Sequence, residues 1–171
     1  MICNSKNPEA KIKGDVIAVF TESLAVDEIA RIVLEDVKLG VIDPEKWYPL
    51  DIYLRMINKT YELIKEDGVL KIAETVGNKA PLPPDIDIVQ LFSILDEKYH
   101  EHHCDDNSSI DVDITAPNLI TIESDTPYPC EFDKTVYLEM AKRFQKSAAI
   151  YEIGDECRKT GGKKCVYKIT W

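Results

Sequence analysis

The sequence has no apolar run long enough to span a bilayer, which needs about 20 residues, and this excludes a transmembrane helix. It has no glycine-rich phosphate loop and no G-x-S-x-G elbow, so neither nucleotide phosphates nor an esterase-type serine are indicated. It also has no basic patch: 21 Lys and Arg face 31 Asp and Glu, for a net charge of −10 spread over the chain. That argues against a nucleic-acid surface and against adsorption to anionic lipid. Met1 to Gly14 is polar and carries Lys6, Lys11 and Lys13, unlike a secretory leader. A cytoplasmic protein is expected, with free thiols or metal ligands rather than a disulfide framework among its five cysteines.

What is present is a chain of 171 residues whose hydrophobic period changes once. The spacing of Val16, Val19, Phe20 and Leu24 indicates a first helix, and Ile29, Ile32, Val33 and Val37 a second, stopped at Gly40. Pro49 suits a first helical turn, and Leu50, Tyr53, Leu54, Ile57, Tyr61 and Ile64 then line one face. A shorter helix carries Leu70, Ala73 and Val76. Pro81 to Pro84 is a rigid break, after which Asp85 is placed to cap a helix. That helix presents Ile88, Leu91, Phe92, Leu95 and Tyr99, with His102 and His103 on its extension.

From Ile110 the period becomes two. Ile110, Val112 and Ile114 alternate with acids, and Leu119 to Glu123 follows as a second strand. A helix from about Asp133 to Phe144 separates these from strands at Ala148 to Ile153 and Cys165 to Trp171. The expected fold is therefore α+β. A helical N-terminal two-thirds packs on a four-stranded antiparallel sheet with one crossover helix, all in one domain over residues 1–171, of which 1–13 are expected to be flexible. Homodimerisation is the default expectation for such a domain.

Two clusters carry candidate chemistry. Cys157 and Cys165 flank Gly161–Gly162, which can reverse the chain, so their sulfurs are expected near each other, and Cys130 precedes the crossover helix as a third corner. Arg158, Lys159, Lys163 and Lys164 favour thiolates there. Free thiols, a disulfide, or three thiolates on tetrahedral zinc all remain open on this pattern. The alternation along the last strand turns Cys165 inward with Tyr167, Ile169 and Trp171, whereas Cys3 and Cys104 lie in polar flanks and should take no part. The second cluster, Tyr99 to Cys104, holds all three histidines. Their spacing lacks the i, i+4 pair of a helical zinc site, leaving a polar helix end, a pocket wall or a haem ligand. Trp47, Tyr53, Tyr61, Phe92 and Tyr99 form a mixed stripe that reads as core or as a pocket wall, and Trp47, Tyr53, Phe92 and Tyr99 with His103 are the expected cofactor- or ligand-binding residues. Asp111 and Asp113 share a strand face and read as solvated.

The stretch Pro129-Cys130-Glu131-Phe132-Asp133, followed by Cys157, Gly161-Gly162 and Cys165-Val166-Tyr167, resembles the 4-vinyl reductase-like domain. Trp47-Tyr48-Pro49-Leu50 and the Leu95 to His103 segment look like related bacterial and archaeal sensors. Such domains carry a cysteine before a helix and a later pair around a glycine turn, and are regarded as binders of small, often hydrocarbon, molecules. They share a fold with sensor domains of aromatic-responsive activators and vesicle-tethering subunits, and are compared with the haem nitric-oxide sensor fold. The resemblance implies a small-molecule binding or sensory domain for an apolar or tetrapyrrole-like ligand, with Cys130, Cys157 and Cys165 on a structural zinc. The alternative is an enzyme, a tetrapyrrole vinyl reductase or another thiol-dependent catalyst. Zinc-bearing members have an acidic residue three positions before the second cysteine; here that position is Gly154, so Glu152, Asp155 or Glu156 must substitute. Thr135 and Val136 stand where many members have a helix glycine, and the alternating Tyr, Ser and Arg of the haem sensors is absent, which counts against haem.

Overall fold

The computed structural model describes residues 3–24 and 27–171. Strand β1 (Lys11–Lys13) leads into α1 (Gly14–Ser23), α2 (Asp27–Asp36) and β2 (Trp47–Pro49). Helix α3 (Leu50–Lys79) is followed by α4 (Ile88–Ser93), α5 (Leu95–His100) and β3 (His103–Cys104). Then come β4 (Ile110–Ala116), β5 (Leu119–Ser124), α6 (Cys130–Lys142), β6 (Ala149–Ile153) and β7 (Cys165–Thr170). No described helix is long and apolar enough to cross a membrane.

The four-stranded antiparallel sheet has the order β4-β5-β7-β6. β5 and β6 each run antiparallel to β7, which lies between them. They are therefore parallel to each other, and a parallel pair needs a crossover, which α6 supplies. The inward positions of β5 and β7 are Ile120, Ile122, Cys165, Tyr167 and Ile169, all buried, while Asp111 and Asp113 on β4 are exposed. The alternation expected on β4 holds at Ile110 but not at Ile114, which is partly exposed where the β4–β5 register shifts before Ala116.

The N-terminal segment departs from the expectation of flexibility. Met1 and Ile2 lie outside the described residues, but Cys3 is buried against Asn58, and β1 is the central strand of a second sheet, β2-β1-β3. The Trp47–Pro49 segment is accordingly a strand rather than a helix start, and Leu50 opens α3. The two helices expected between Leu50 and Val76 are one element interrupted at Lys65, whose φ of 61° and ψ of −155° leave the helical region. Asp87, not Asp85, caps α4: its carboxylate accepts from the Gln90 amide while the Gln90 side chain accepts from the Asp87 amide. Asp85 sits at φ 60°, outside the helix. Helix α5 ends at His100, so His102 and His103 leave the helix; His103 pairs with Ile12 of β1.

Two hydrophobic cores result. One joins α1, α2, α3 and β1; the other joins α4, α5, α6 and the four-stranded sheet. Tyr99 and Val136 pack against both and mark the seam. Gly77 of α3 lets α6 approach there, since a Cβ at Gly77 would sit 2.7 Å from the Val136 carbonyl oxygen.

Candidate functional site

The seam encloses a cavity of about 350 Å³. Val16 and Val19 of α1, Val76 of α3, Leu82 of the proline segment, and Phe132, Val136 and Met140 of α6 give it an apolar wall. Tyr53 and Tyr99 of the expected stripe line it, as does His103; Trp47, Tyr61 and Phe92 do not. Trp47 sits on β2, 43% exposed, and Phe92 is spent in the core between α4 and the four-stranded sheet. The stripe thus divides because its members lie on different elements, not on one continuous helix face.

His103 is buried with both ring nitrogens engaged. Nδ1 lies 2.9 Å from the Tyr99 carbonyl oxygen, which can only accept, so Nδ1 carries the proton. Nε2 then accepts from the Tyr128 hydroxyl at 2.5 Å. The ring stacks on Tyr99 with centroids 3.9 Å apart. Burial draws the imidazole down to about 4, against the pull of the Tyr99 carbonyl and Asp106. Tyr99 in turn hydrogen-bonds the buried Asp106 carboxylate.

His102 differs. Its Nδ1 lies 3.1 Å from Asp15 Oδ1, both residues line the cavity, and Nε2 has no hydrogen-bond partner among the described residues. An imidazole oriented by a carboxylate with its second nitrogen free is the usual arrangement of a metal-binding histidine. Sequence reasoning did not select His102 and Asp15 as a pair, because 87 positions separate them and only the β1–β3 pairing brings them together. Nor did it select Tyr128, which lies between two prolines in a stretch that carries no periodicity.

The cysteine cluster lies at the N-terminal end of α6. Cys130 opens α6, Cys165 opens β7, and Cys157 precedes a 3-10 turn at Arg158–Thr160. Gly161 ends that turn in the left-handed region at φ 93°. The amide of Gly162 donates to the Cys157 carbonyl at 2.8 Å, where a Cβ would not fit. The sulfurs of Cys130 and Cys165 are 3.1 Å apart, those of Cys130 and Cys157 3.5 Å, and those of Cys157 and Cys165 3.7 Å. Glu152 of β6 completes the group: one oxygen of its carboxylate and the three sulfurs all lie within 4.8 Å of one another. Its Oε1 is buried without a hydrogen-bond partner among the described residues. Cys3 and Cys104 are not members.

Of the four nearby cations, only Arg158 brings its side chain to the sulfurs. Its backbone amide and Nε each donate to Cys165 Sγ at 3.4 Å, whereas Lys164 pairs with Glu123, and Lys159 and Lys163 are exposed. The hydrogen bond shared with Cys130 and then the Arg158 donors draw the Cys165 thiol down to about 4, despite burial. The same shared bond, with burial, pushes Cys130 up. Arg158 also donates through Nη2 to the buried Asp133 carboxylate at 2.5 Å, which accepts from Thr126 as well. Asp133 lines the cavity, so one side chain touches both the cysteine cluster and a residue of the cavity wall.

No protein-family model and no curated protein matches the chain. Solved structures do. An H-NOX protein from S. oneidensis in the Fe(II)NO ligation state superposes with a TM-score of 0.73 at 17% identity, covering 92% of this chain and 98% of that one. A structure probing haem distortion in the H-NOX family gives 0.73 at 14%, covering 94% and 95%. An oxygen-binding H-NOX domain related to soluble guanylate cyclases gives 0.68 at 15%, covering 93% and 94%. At such identities the likeness speaks for the fold: this chain has the fold seen in H-NOX proteins.

Proposed function

We propose that this chain is a sensory ligand-binding domain that holds a small, largely apolar molecule in the cavity between its two cores. The carrying observation is the cavity of about 350 Å³ with an apolar wall and few polar groups. That volume lies at the lower end of the roughly 300–1,000 Å³ of small-molecule sites and suits a compact aromatic or aliphatic molecule. The likeness to H-NOX proteins supports a sensor, and the short cysteine motifs support the hydrocarbon-binding relatives of that fold. The same reading assigns Cys130, Glu152, Cys157 and Cys165 to a structural zinc ion. Tetrahedral zinc–sulfur bonds near 2.3 Å put thiolates about 3.8 Å apart, so the sulfurs need open only slightly.

The test is a thermal-shift screen against monocyclic phenols, alkylbenzenes and medium-chain lipids, repeated on Val136→Phe, which fills the cavity. A ligand at a hundredfold excess over its Kd stabilises by about 2.7 kcal/mol, or about 5–10 °C at this size. The expected result is a shift in the natural chain that Val136→Phe abolishes. A shift equal in both, or none across the classes, overturns the reading.

A second reading is favoured by His102. Haem is the group that related structures concern, and the residues present fit its iron: His102, oriented by Asp15, offers an imidazole at the cavity, while Lys79 and Lys98 at its lining would have to leave Glu22 and Glu101 to meet the carboxylates. His103 does not fit, because Tyr99 and Tyr128 hold both its nitrogens. A bound haem would supply an iron able to take a diatomic gas. Titration with haemin is expected to give a saturable Soret band that His102→Ala shifts or abolishes. A band indifferent to His102, or no band, removes this reading.

A further inference from the structure

The two edges of the four-stranded sheet, β4 and β6, meet solvent differently. An edge strand leaves a row of N–H and C=O groups unpaired, and charge, irregularity or cover normally keeps it from pairing with another chain. β4 is protected in this way. Asp111 and Asp113 are exposed on it, its register slips between Ile114 and Ala116, and Asp96 of α5 accepts from the Ile110 amide at 2.8 Å. β6 has no such device among the described residues. Its five residues, Ala149-Ile150-Tyr151-Glu152-Ile153, include no lysine or proline and pair regularly with β7. Its one charged side chain, Glu152, turns into the cysteine cluster. Ala149, Tyr151 and Ile153 share the opposite face, away from α4, α5 and α6, and Tyr151 is 58% exposed there.

We propose that β6 is a docking edge for a second copy of this chain, the two β6 strands pairing antiparallel about Tyr151 so that the two four-stranded sheets become one. The inference does not depend on what the cavity holds. β6 complements itself in this register. Across the two-fold axis Tyr151 meets Tyr151, Ala149 meets Ile153 and Ile150 meets Glu152, so no like charges are opposed. A register centred on Glu152 would set two carboxylates against each other, and one centred on Ile150 would set Ile153 against Ser147, outside the strand. The charges at the ends agree with the central register. Lys146 precedes β6 while Asp155 and Glu156 follow it, all three exposed, so antiparallel copies bring Lys146 of each towards the acids of the other. Lys168 of β7, the neighbour of Tyr151 on the same face, then flanks the tyrosine pair on both sides.

A five-residue edge makes a small interface, so association is expected in the micromolar range. Sedimentation velocity of the full chain across that range is expected to show monomer passing to dimer. Tyr151→Lys opposes two charges at the axis and is expected to weaken dimerisation by roughly tenfold or more. Because Tyr151 is exposed, the variant should keep the Tm of the natural chain, which shows that it folds. Lys146→Glu is expected to weaken the dimer as well, and Asp155→Lys added to it to restore association. The register is read by cross-linking. Tyr151→Cys is expected to give a dimer joined through position 151 on oxidation with diamide, mapped by peptide mass, whereas Lys168→Cys, one strand in from the edge, gives none at 168. A chain that stays monomeric throughout, a dimer that Tyr151→Lys leaves intact, or a cross-link at 168 in place of 151 overturns the proposal.

Discussion

His103 is neutral in the folded chain because burial penalises the charged imidazolium. Nδ1–H faces the Tyr99 carbonyl, and Nε2 accepts from Tyr128, so a second proton would also require the buried Tyr128 hydroxyl to turn from donor to acceptor. Its folded value is about 4, against an ordinary value of 6.5 in the unfolded chain. Below pH 6.5 the unfolded chain takes up a proton that the folded chain refuses. Stability attributable to His103 is therefore complete above about pH 6.5 and falls as pH drops towards 4. The loss amounts to about 3 kcal/mol, at 1.36 kcal/mol per unit. Urea unfolding at pH 7 and pH 4 measures it. In His103→Gln, which keeps a donor and an acceptor but does not titrate, the slope across this window is expected to flatten. An unchanged slope would place the acid sensitivity elsewhere.

At the scale of elements, the contact between α3 and α6 decides whether the cavity has its far wall. Gly77→Ala tests this contact. In an exposed helix the change would stabilise by about 1 kcal/mol. Here the new Cβ meets the Val136 carbonyl oxygen at 2.7 Å and the Glu139 Cβ at 2.8 Å, both fixed parts of α6. Overpacking of this kind costs about 1–3 kcal/mol, so the expected net effect is destabilisation, read as a lowered urea midpoint. The sequence carried no sign of this requirement, since Gly77 reads equally well as a helix terminator. The long elements were legible: α2, the two halves of α3, α6 and the four strands of the larger sheet could be read from periods of 3.6 or 2, whereas at α1 the density of Val and Ile blurs the period. The smaller sheet was not, because strands of three, three and two residues are too short to show a period. The cavity followed the same division. Tyr53, Tyr99 and His103 lie on or beside periodic helices, whereas Tyr128, Asp15 and Arg158 reach their partners through loops and short strands.

For the molecule as a whole, the cysteine cluster joins four segments at one point: the start of α6, the end of β6, the loop before β7 and β7 itself. An ion bound there stabilises only the folded chain, because the unfolded chain does not assemble the four donors. At a free zinc concentration a thousandfold above Kd the gain is about 4.1 kcal/mol, which a chelator should remove as a fall of about 8–16 °C in Tm. Glu152 makes the prediction specific. Without metal, its Oε1 is a buried acceptor with no partner among the described residues, which costs about 1–3 kcal/mol. Glu152→Leu removes that burden together with the fourth ligand. In chelator the variant is therefore expected to melt at or above the temperature of the natural chain, and in zinc clearly below it. The opposite sign in each condition separates a metal ligand from an ordinary structural carboxylate, whose loss would lower Tm equally with and without zinc.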